Sequence, residues 1–107
     1  MTMIAKTPKP PYYAVIFTSM RTEADLKYAE MADKMLDLAQ KQEGFLGVES
    51  ARSELGITVS YWESLEAIKK WKLHTEHTKA REKGRSMWYN AFTVRICKVE
   101  HEYGFEK

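Results

Sequence analysis

The sequence has little cysteine, and it has no long apolar run. Cys97 is the only cysteine in 107 residues, so an intrachain disulfide is excluded. Disulfide-free chains are typical of reducing compartments. No segment approaches the roughly 18 apolar residues of a transmembrane helix, and the first residues lack the apolar stretch of a signal peptide. We therefore expect a cytoplasmic protein with no membrane partner.

A strong excess of charge is also missing. The chain carries 17 Lys and Arg against 15 Asp and Glu, a formal net charge of +2. Nucleic-acid-binding domains usually show a clustered basic face. The one basic cluster, residues 79–85, contains Glu82 and is typical of a solvated helix end. We expect no nucleic-acid partner.

Several common catalytic and metal-binding patterns are absent too. There is no glycine-rich phosphate loop, no Ser-His-Asp arrangement and no pair of carboxylates in an apolar setting. His74 and His77 stand three residues apart and would share one face of a helix, but two ligands are too few for a metal ion. Cys97 lies in a predicted strand, and no neighbouring group in the sequence would stabilise its thiolate. We therefore expect a small buried residue rather than a nucleophile. We expect no metal site.

The prolines are confined to the first eleven residues, and strand and helix patterns follow them. Pro8, Pro10 and Pro11 predict an extended, loosely held arm over residues 1–11, and residues 12–107 suit a single domain. Apolar residues at every second position predict strands, and apolar residues three and four positions apart predict helices. The predicted strands are residues 12–18, 45–52, 57–62 and 91–99. A first helix is predicted at 22–42 and ends before Gly44. A second helix starts near Ser64 with Leu65, Ile68 and Trp71 on one stripe, and a short helix follows at about 75–83.

This order predicts a ferredoxin-like βαββαβ fold, an α+β domain with a four-stranded antiparallel sheet. Tyr13, Val15 and Phe17 alternate with Tyr12, Ala14 and Ile16, so the first strand has two apolar faces and belongs in the middle of the sheet. Both helices would lie on one face of the sheet. The other face would be bare unless a partner covers it, which favours a homodimer.

Eight aromatic residues are expected near strand and helix faces that meet under the second helix: Tyr13, Phe17, Tyr61, Trp62, Trp71, Trp88, Tyr89 and Phe92. Aromatic side chains together with a few polar groups suit a pocket for a flat, apolar ligand. A small hydrophobic core needs the same residues, and composition alone favours the core.

Three segments resemble the antibiotic biosynthesis monooxygenase family. They are residues 43–50 (EGFLGVES), 57–64 (ITVSYWES) and 67–71 (AIKKW), followed by His74 and His77, and the resemblance extends over about residues 12–100. It implies a dimeric α+β barrel in which two ferredoxin-like sheets pack face to face. Members of this family include cofactor-independent monooxygenases that oxidise polycyclic aromatic quinols, haem-degrading monooxygenases, and proteins with no established activity.

The haem-degrading members use an asparagine on the first strand, a tryptophan on the second helix and a haem-ligating histidine. Trp71 matches the tryptophan, but the first strand contains no Asn. The ligating histidine would fall near Arg81, and His77 lies one helical turn earlier. The resemblance therefore favours haem degradation less than quinol oxidation.

Two functions from different classes follow from the resemblance. In the first, the chain is a cofactor-free monooxygenase for a small aromatic molecule, with His74 or His77 as proton acceptor. Its substrate-binding residues would be Trp71, Trp62, Phe17 and Tyr61. In the second, the chain is a non-catalytic ligand-binding or stress-related dimeric domain. The missing Asn favours the second function, whereas Trp71 and the histidines favour the first.

Overall fold

The computed structural model of the chain describes residues 3–23, 28–77 and 88–107, with only the backbone of residues 76 and 77. Strands and helices alternate along this part of the chain. Their bounds are β1 (Tyr12–Arg21), α1 (Tyr28–Gln40), β2 (Phe45–Arg52), β3 (Gly56–Trp62), α2 (Leu65–His77) and β4 (Tyr89–Val99). None of the helices described is both long and apolar enough to cross a bilayer.

The four strands form one sheet in the order β2-β3-β1-β4, and each neighbouring pair is antiparallel. This is the topology of a ferredoxin-like domain, so the predicted fold class is confirmed. β1 pairs with β3 on one side and with β4 on the other, as its two apolar faces predicted. The bounds of β2 agree with the prediction, whereas β3 begins one residue earlier and β4 two residues earlier.

Gly44 turns the chain from α1 into β2. Its φ is +88°, a conformation that costs a residue with a side chain about 1–2 kcal/mol. A Cβ atom at this position would lie 2.7 Å from the Cβ of Ala67, so α2 leaves no room for one. The helix predicted over residues 22–42 is observed as Tyr28–Gln40. Thr22 and Glu23 are not helical, since the Thr22 N–H donates to the Trp88 carbonyl at 2.8 Å, and residues 24–27 lie outside the described part.

Helix α2 begins after Ser64, whose Oγ accepts a hydrogen bond from the Ala67 backbone N–H at 3.0 Å. This is the predicted N-cap. The predicted stripe is only partly correct, since Ile68 is buried but Leu65 is 54% exposed. Leu65 occupies the first turn of the helix, and Ala67 is buried in its place. The helix continues through His74 and Thr75 to His77, and the short helix predicted at 75–83 falls largely outside the described residues.

The core lies where the end of β3 meets the start of α2. Trp62 has no exposed surface, and Ala67 and Ile68 are buried beside it. The Phe45 ring meets Trp62 edge-on, with 5.4 Å between ring centroids. The core is therefore formed on the helix-facing side of the sheet, where the end of β3 packs against the start of α2.

The N-terminal arm (residues 3–11) and the C-terminal tail (residues 100–107) cross one end of the opposite sheet face, called here the open face. The Ala5 N–H donates to the Glu49 carboxylate at 2.9 Å. A Cβ on Gly47 would lie 3.0 Å from the Cβ of Ala5, so the arm runs directly over β2. The hydroxyls of Thr7 and Tyr12 both donate to Glu102 in the tail.

The remainder of the open face is uncovered in the single chain. Cys97 lies there and is exposed, so the expectation of a buried cysteine is wrong. β4 is an edge strand, and Cys97 pairs with Ala14 on the side of the sheet that faces away from the helices. A small side chain in a strand is buried only where another layer covers that face.

Candidate functional site

A cavity of about 510 Å³ lies between the two helices and the helix-facing side of the sheet. This is within the usual range of roughly 300–1,000 Å³ for small-molecule pockets. Its floor is formed by alternate residues of the strands, among them Val15, Phe17, Ser60 and Trp62. The amphipathic stripe of α1 forms one wall through Tyr28, Met31 and Met35, and α2 forms another.

Three rings are stacked in series beside the cavity. The Trp62 and Trp71 centroids lie 5.9 Å apart at an interplanar angle of 28°, and the Trp71 and His74 centroids lie 5.8 Å apart at 20°. Trp71 and His74 meet because residues three apart share a helix face. The Trp62 Nε1–H donates to the Ser60 Oγ at 2.9 Å, which fixes the first ring of the stack. The cavity is therefore bounded by flat apolar surfaces of fixed orientation.

His74 lies at the outer end of this stack and is half-buried. Its Nε2 atom is buried and has no hydrogen-bond partner in the part of the chain that the structure describes. The α2 residues that line the cavity are Ile68, Trp71, Lys72 and Thr75. His74 thus reaches the cavity only through its contact with Trp71. The side chain of His77 lies outside the described residues.

A second aromatic cluster closes the end of the cavity near β4. The Tyr89 hydroxyl donates to the Tyr28 hydroxyl at 3.1 Å, and the Phe17 ring packs against Tyr89 and Phe92, with 5.4 Å between centroids in both pairs. The guanidinium of Arg21 lies 3.7 Å from the centre of the Tyr28 ring. Burial, followed by the hydrogen bond to Tyr28, raises the pKa of Tyr89 well above its ordinary value of 10.0. The Tyr89 hydroxyl is therefore a neutral hydrogen-bond donor at working pH.

The structure brings together three of the residues predicted for substrate binding. Trp71, Trp62 and Phe17 all line the cavity. Tyr61 does not, because it is adjacent to Trp62 in β3 and neighbouring strand residues point to opposite faces. Its hydroxyl donates to Glu49 at 2.6 Å on the open face, where burial and this hydrogen bond raise its pKa.

Sequence reasoning did not assign Tyr28, Met31, Met35 or Lys72 to the site. The stripe of α1 was the available signal for the first three, since the helix must face the same sheet as α2. Lys72 gave no signal, because a lysine on a helix is ordinarily solvated.

The charged groups decide which chemistry the cavity can support. Lys72 is the one charged side chain among the described lining residues, and none of them is a carboxylate. The described residues also contain no group of three or more His, Cys, Asp or Glu that could hold a metal ion. The lining therefore suits an apolar ring system that carries a hydroxyl or a developing negative charge.

Two sequence comparisons indicate the family of this chain. The family model described as Antibiotic biosynthesis monooxygenase matches residues 11–83. The uncharacterized protein YqjZ of Bacillus subtilis (strain 168) is 53% identical over 109 residues, covering 100% of this chain and 96% of that protein.

Two solved structures show the same fold at low identity. A point variant of SnoaB, a cofactor-independent oxygenase from Streptomyces nogalater, has a TM-score of 0.72 at 8% identity and covers 85% of this chain and 95% of its own. Rv0793 from Mycobacterium tuberculosis has a TM-score of 0.74 at 14% identity and covers 87% and 99%. At such identities the likeness concerns the fold alone.

Proposed function

The chain belongs to the antibiotic biosynthesis monooxygenase family, and on that premise we propose that it is a small cytoplasmic monooxygenase that acts as a homodimer on a flat, quinol-like aromatic substrate. The observation that carries the proposal is the 510 Å³ cavity with the stacked Trp62 and Trp71 on its wall. A planar substrate gains ring contact there with Trp71, which the fully buried Trp62 holds in place, as well as burial of its apolar surface. SnoaB, which shares the fold, is a cofactor-independent oxygenase.

In the proposed reaction a ring CH₂ group that is conjugated with a phenol or ketone through the fused rings is converted to a carbonyl. Both C–H bonds break, one atom of O₂ becomes the carbonyl oxygen, and the other leaves as water with the two hydrogens. The substrate supplies all four electrons that reduce O₂, so no external reductant is required. The first step is loss of a proton to give a delocalised substrate anion, which donates electrons to O₂.

Two groups of the chain suit this first step. The neutral hydroxyl of Tyr89, whose one hydrogen is donated to Tyr28 in this structure, can turn that hydrogen to the substrate oxygen on which the negative charge develops. His74 is our candidate proton acceptor, because its buried Nε2 has no partner among the described residues. His74 does not line the cavity in this structure, so this role requires the side chain or one bridging water to reach the substrate on binding. His77, whose side chain lies outside the described part of the chain, remains the second candidate proton acceptor.

The experiment uses anthrone, a tricyclic ketone with one reactive CH₂ group, as the probe. We expect enzyme-dependent O₂ uptake above the spontaneous rate and, with ¹⁸O₂, one labelled oxygen in the anthraquinone product. Tyr89→Phe should slow turnover, whereas Tyr61→Phe should leave it unchanged, because Tyr61 lies on the opposite face of the sheet. Absence of both binding and O₂ uptake, for anthrone and for larger ring systems, would contradict the proposed activity.

The alternative function is a ligand-binding or stress-related dimeric domain without catalysis. It is favoured by the position of His74, which does not line the cavity, and by the missing Asn of β1. Quenching of Trp62 and Trp71 fluorescence by an aromatic ligand, with no O₂ uptake under any condition, would select this alternative.

Haem degradation is the third possibility to test. Because β1 contains no Asn, we expect weak haem binding and no turnover with a reductant. Absorbance titration measures both. A tight stoichiometric Soret complex that bleaches to an open-chain pigment would contradict this expectation, and loss of that complex in His77→Ala would identify the ligand.

A further inference from the structure

The two terminal segments carry large apolar side chains that contact almost nothing in their own chain. Tyr103 is 92% exposed, Phe105 89% and Met3 91%. Isolated exposed apolar residues are common on protein surfaces, but large apolar side chains gathered on neighbouring segments usually mark an interaction site.

These segments are nevertheless attached to the domain by polar contacts. The arm is held by the bond from the Ala5 N–H to Glu49, and the tail by the hydroxyls of Thr7 and Tyr12, which donate to Glu102. The Lys6 ammonium also lies 3.3 Å from the Glu106 carboxylate. The polar groups thus face the chain and the apolar groups face away from it. A segment packed for the stability of its own chain has the opposite arrangement.

The bare part of the open face offers an apolar surface next to these segments. It includes Ile16 and Val59, which are half-buried, and Ile57, which is 42% exposed. Four strands spaced about 4.8 Å apart and about seven residues long cover roughly 500 Å², whereas a stable interface buries about 800 Å² per partner. The sheet alone is therefore too small, and the terminal segments supply further area.

Charge also favours contact between two copies. Of the three glutamates in the tail, Glu102 and Glu106 contact residues of their own chain, and the exposed Glu100 is available to a second copy. Arg95 is exposed on the open face, and in the part of the chain that is described no carboxylate of the same chain pairs with it. In a two-fold symmetric pair the tail of each copy can meet the sheet of the other, so both contacts form twice.

We infer that, in a pair of copies, Tyr103 and Phe105 of each tail pack against the open face of the second copy's sheet, while Glu102 and Glu106 keep the tail attached to its own chain. This inference rests on the homodimer proposed above and adds which residues hold it together. The apolar side chains of the tail are then exposed in the single chain and buried only in the homodimer.

The test compares two double variants of the full chain by analytical ultracentrifugation. Tyr103→Ser with Phe105→Ser should raise the dissociation constant about tenfold or more, because buried aromatic anchors dominate interface energies. The matched control, Leu65→Ser with Leu73→Ser, also removes two exposed apolar side chains, but from α2. It should leave the dissociation constant unchanged. Both variants should keep the circular-dichroism spectrum of the parent chain, since the replaced side chains are exposed in the single chain.

The outcomes separate this inference from the homodimer itself. A full-length parent chain that is monomeric at micromolar concentration overturns both. A dimeric parent whose dissociation constant is unchanged in the tail variant overturns the role of the tail and leaves the homodimer intact. Hydrogen exchange of the tail amides provides an independent measurement: protection should rise with the dimeric fraction, and protection that is independent of concentration shows that the tail makes no contact with the second copy.

Discussion

The two faces of the sheet place neighbouring residues of β3 in different surroundings. Trp62 on the helix-facing side is fully buried in the core and bounds the cavity. Tyr61, the preceding residue, lies on the open face and donates to Glu49, which also accepts a hydrogen bond from the N-terminal arm. The helices cover one face and leave a cavity beneath them, whereas the chain termini cover one end of the other face and leave the rest of it flat and exposed.

This difference shows how one small sheet can serve two kinds of recognition. A concave, enclosed site suits a small molecule, because most of the ligand surface is removed from water. A flat, open surface suits a protein, because sufficient area is buried only when the partner is large. The helix-facing side is therefore the candidate substrate site, and the open face is the candidate subunit interface.

The largest expected effect distinguishes the two faces by stability. Trp62→Ala should lower the free energy of unfolding by about 3–5 kcal/mol, because a fully buried ring is lost from the core. Tyr61→Ala should cost clearly less, because Tyr61 is only half-buried. Urea denaturation measures both values. Equal losses would show that the open face is as tightly packed as the core and would invalidate the comparison.

A pair of glycine variants compares the junction of α1 and β2 with the tail. Gly44→Ala should destabilise the chain by at least about 1–2 kcal/mol, because of its positive φ and the nearby Ala67 Cβ. Gly104→Ala should be neutral, since no atom lies within 4 Å of its added Cβ. Thermal melting checks both. A destabilised Gly104→Ala would mean that the tail is packed more closely than its exposure indicates.

A third pair separates the cavity from the core that supports it. Trp71→Phe should keep a similar melting temperature but weaken binding of a flat aromatic ligand several-fold, as expected from losing about 0.5–1.5 kcal/mol of ring stacking. Phe45→Leu is the control, because Phe45 packs on Trp62 without lining the cavity. It should lower stability and leave affinity unchanged. Unchanged affinity in a folded Trp71→Phe variant would remove Trp71 from the site.

The smallest expected effect is a pH dependence confined to the terminal segments. Hydrogen bonds from Tyr12 and then Thr7 lower the pKa of Glu102 below its ordinary value of 4.5. Because the folded pKa is the lower one, the contact between arm and tail is fully present above pH 4.5 and is lost as the pH falls below it. NMR titration of the Glu102 carboxyl measures this, and Tyr12→Phe should move its pKa back towards 4.5. A parent Glu102 that titrates at its ordinary value would contradict the hydrogen bonds seen here.

Local patterns in the sequence were sufficient to predict the elements and the topology. Alternation along 45–52 and 91–99 identified β2 and β4, and Ser64 identified the start of α2. These features depend on side-chain period and on backbone hydrogen bonding within a few residues, which a sequence displays directly. The order of the elements then leaves few ways to build a compact sheet with short connections.

The candidate site was predictable only in part. Phe17, Trp62 and Trp71 were predicted as candidates from the aromatic residues of the strand and helix faces, with the resemblance supporting Trp71, and period-two alternation alone was enough to separate Tyr61 from Trp62. The contribution of α1 to the cavity was not identified, because a helical stripe predicts burial but does not specify which residues of the sheet it will face. The position of His74 behind Trp71 depends on how far α2 rotates over the sheet.

The sequence by itself determined the strands, the helices and the ferredoxin-like order, because these follow from local periodicity and connection length. Only the tertiary structure decided that Cys97 is exposed, that the helices leave a cavity, and that the arm and tail lie on the open face. The physical reason is that exposure and cavities depend on how closely separate layers approach. That distance is the result of packing among residues far apart in the chain, which no local pattern encodes.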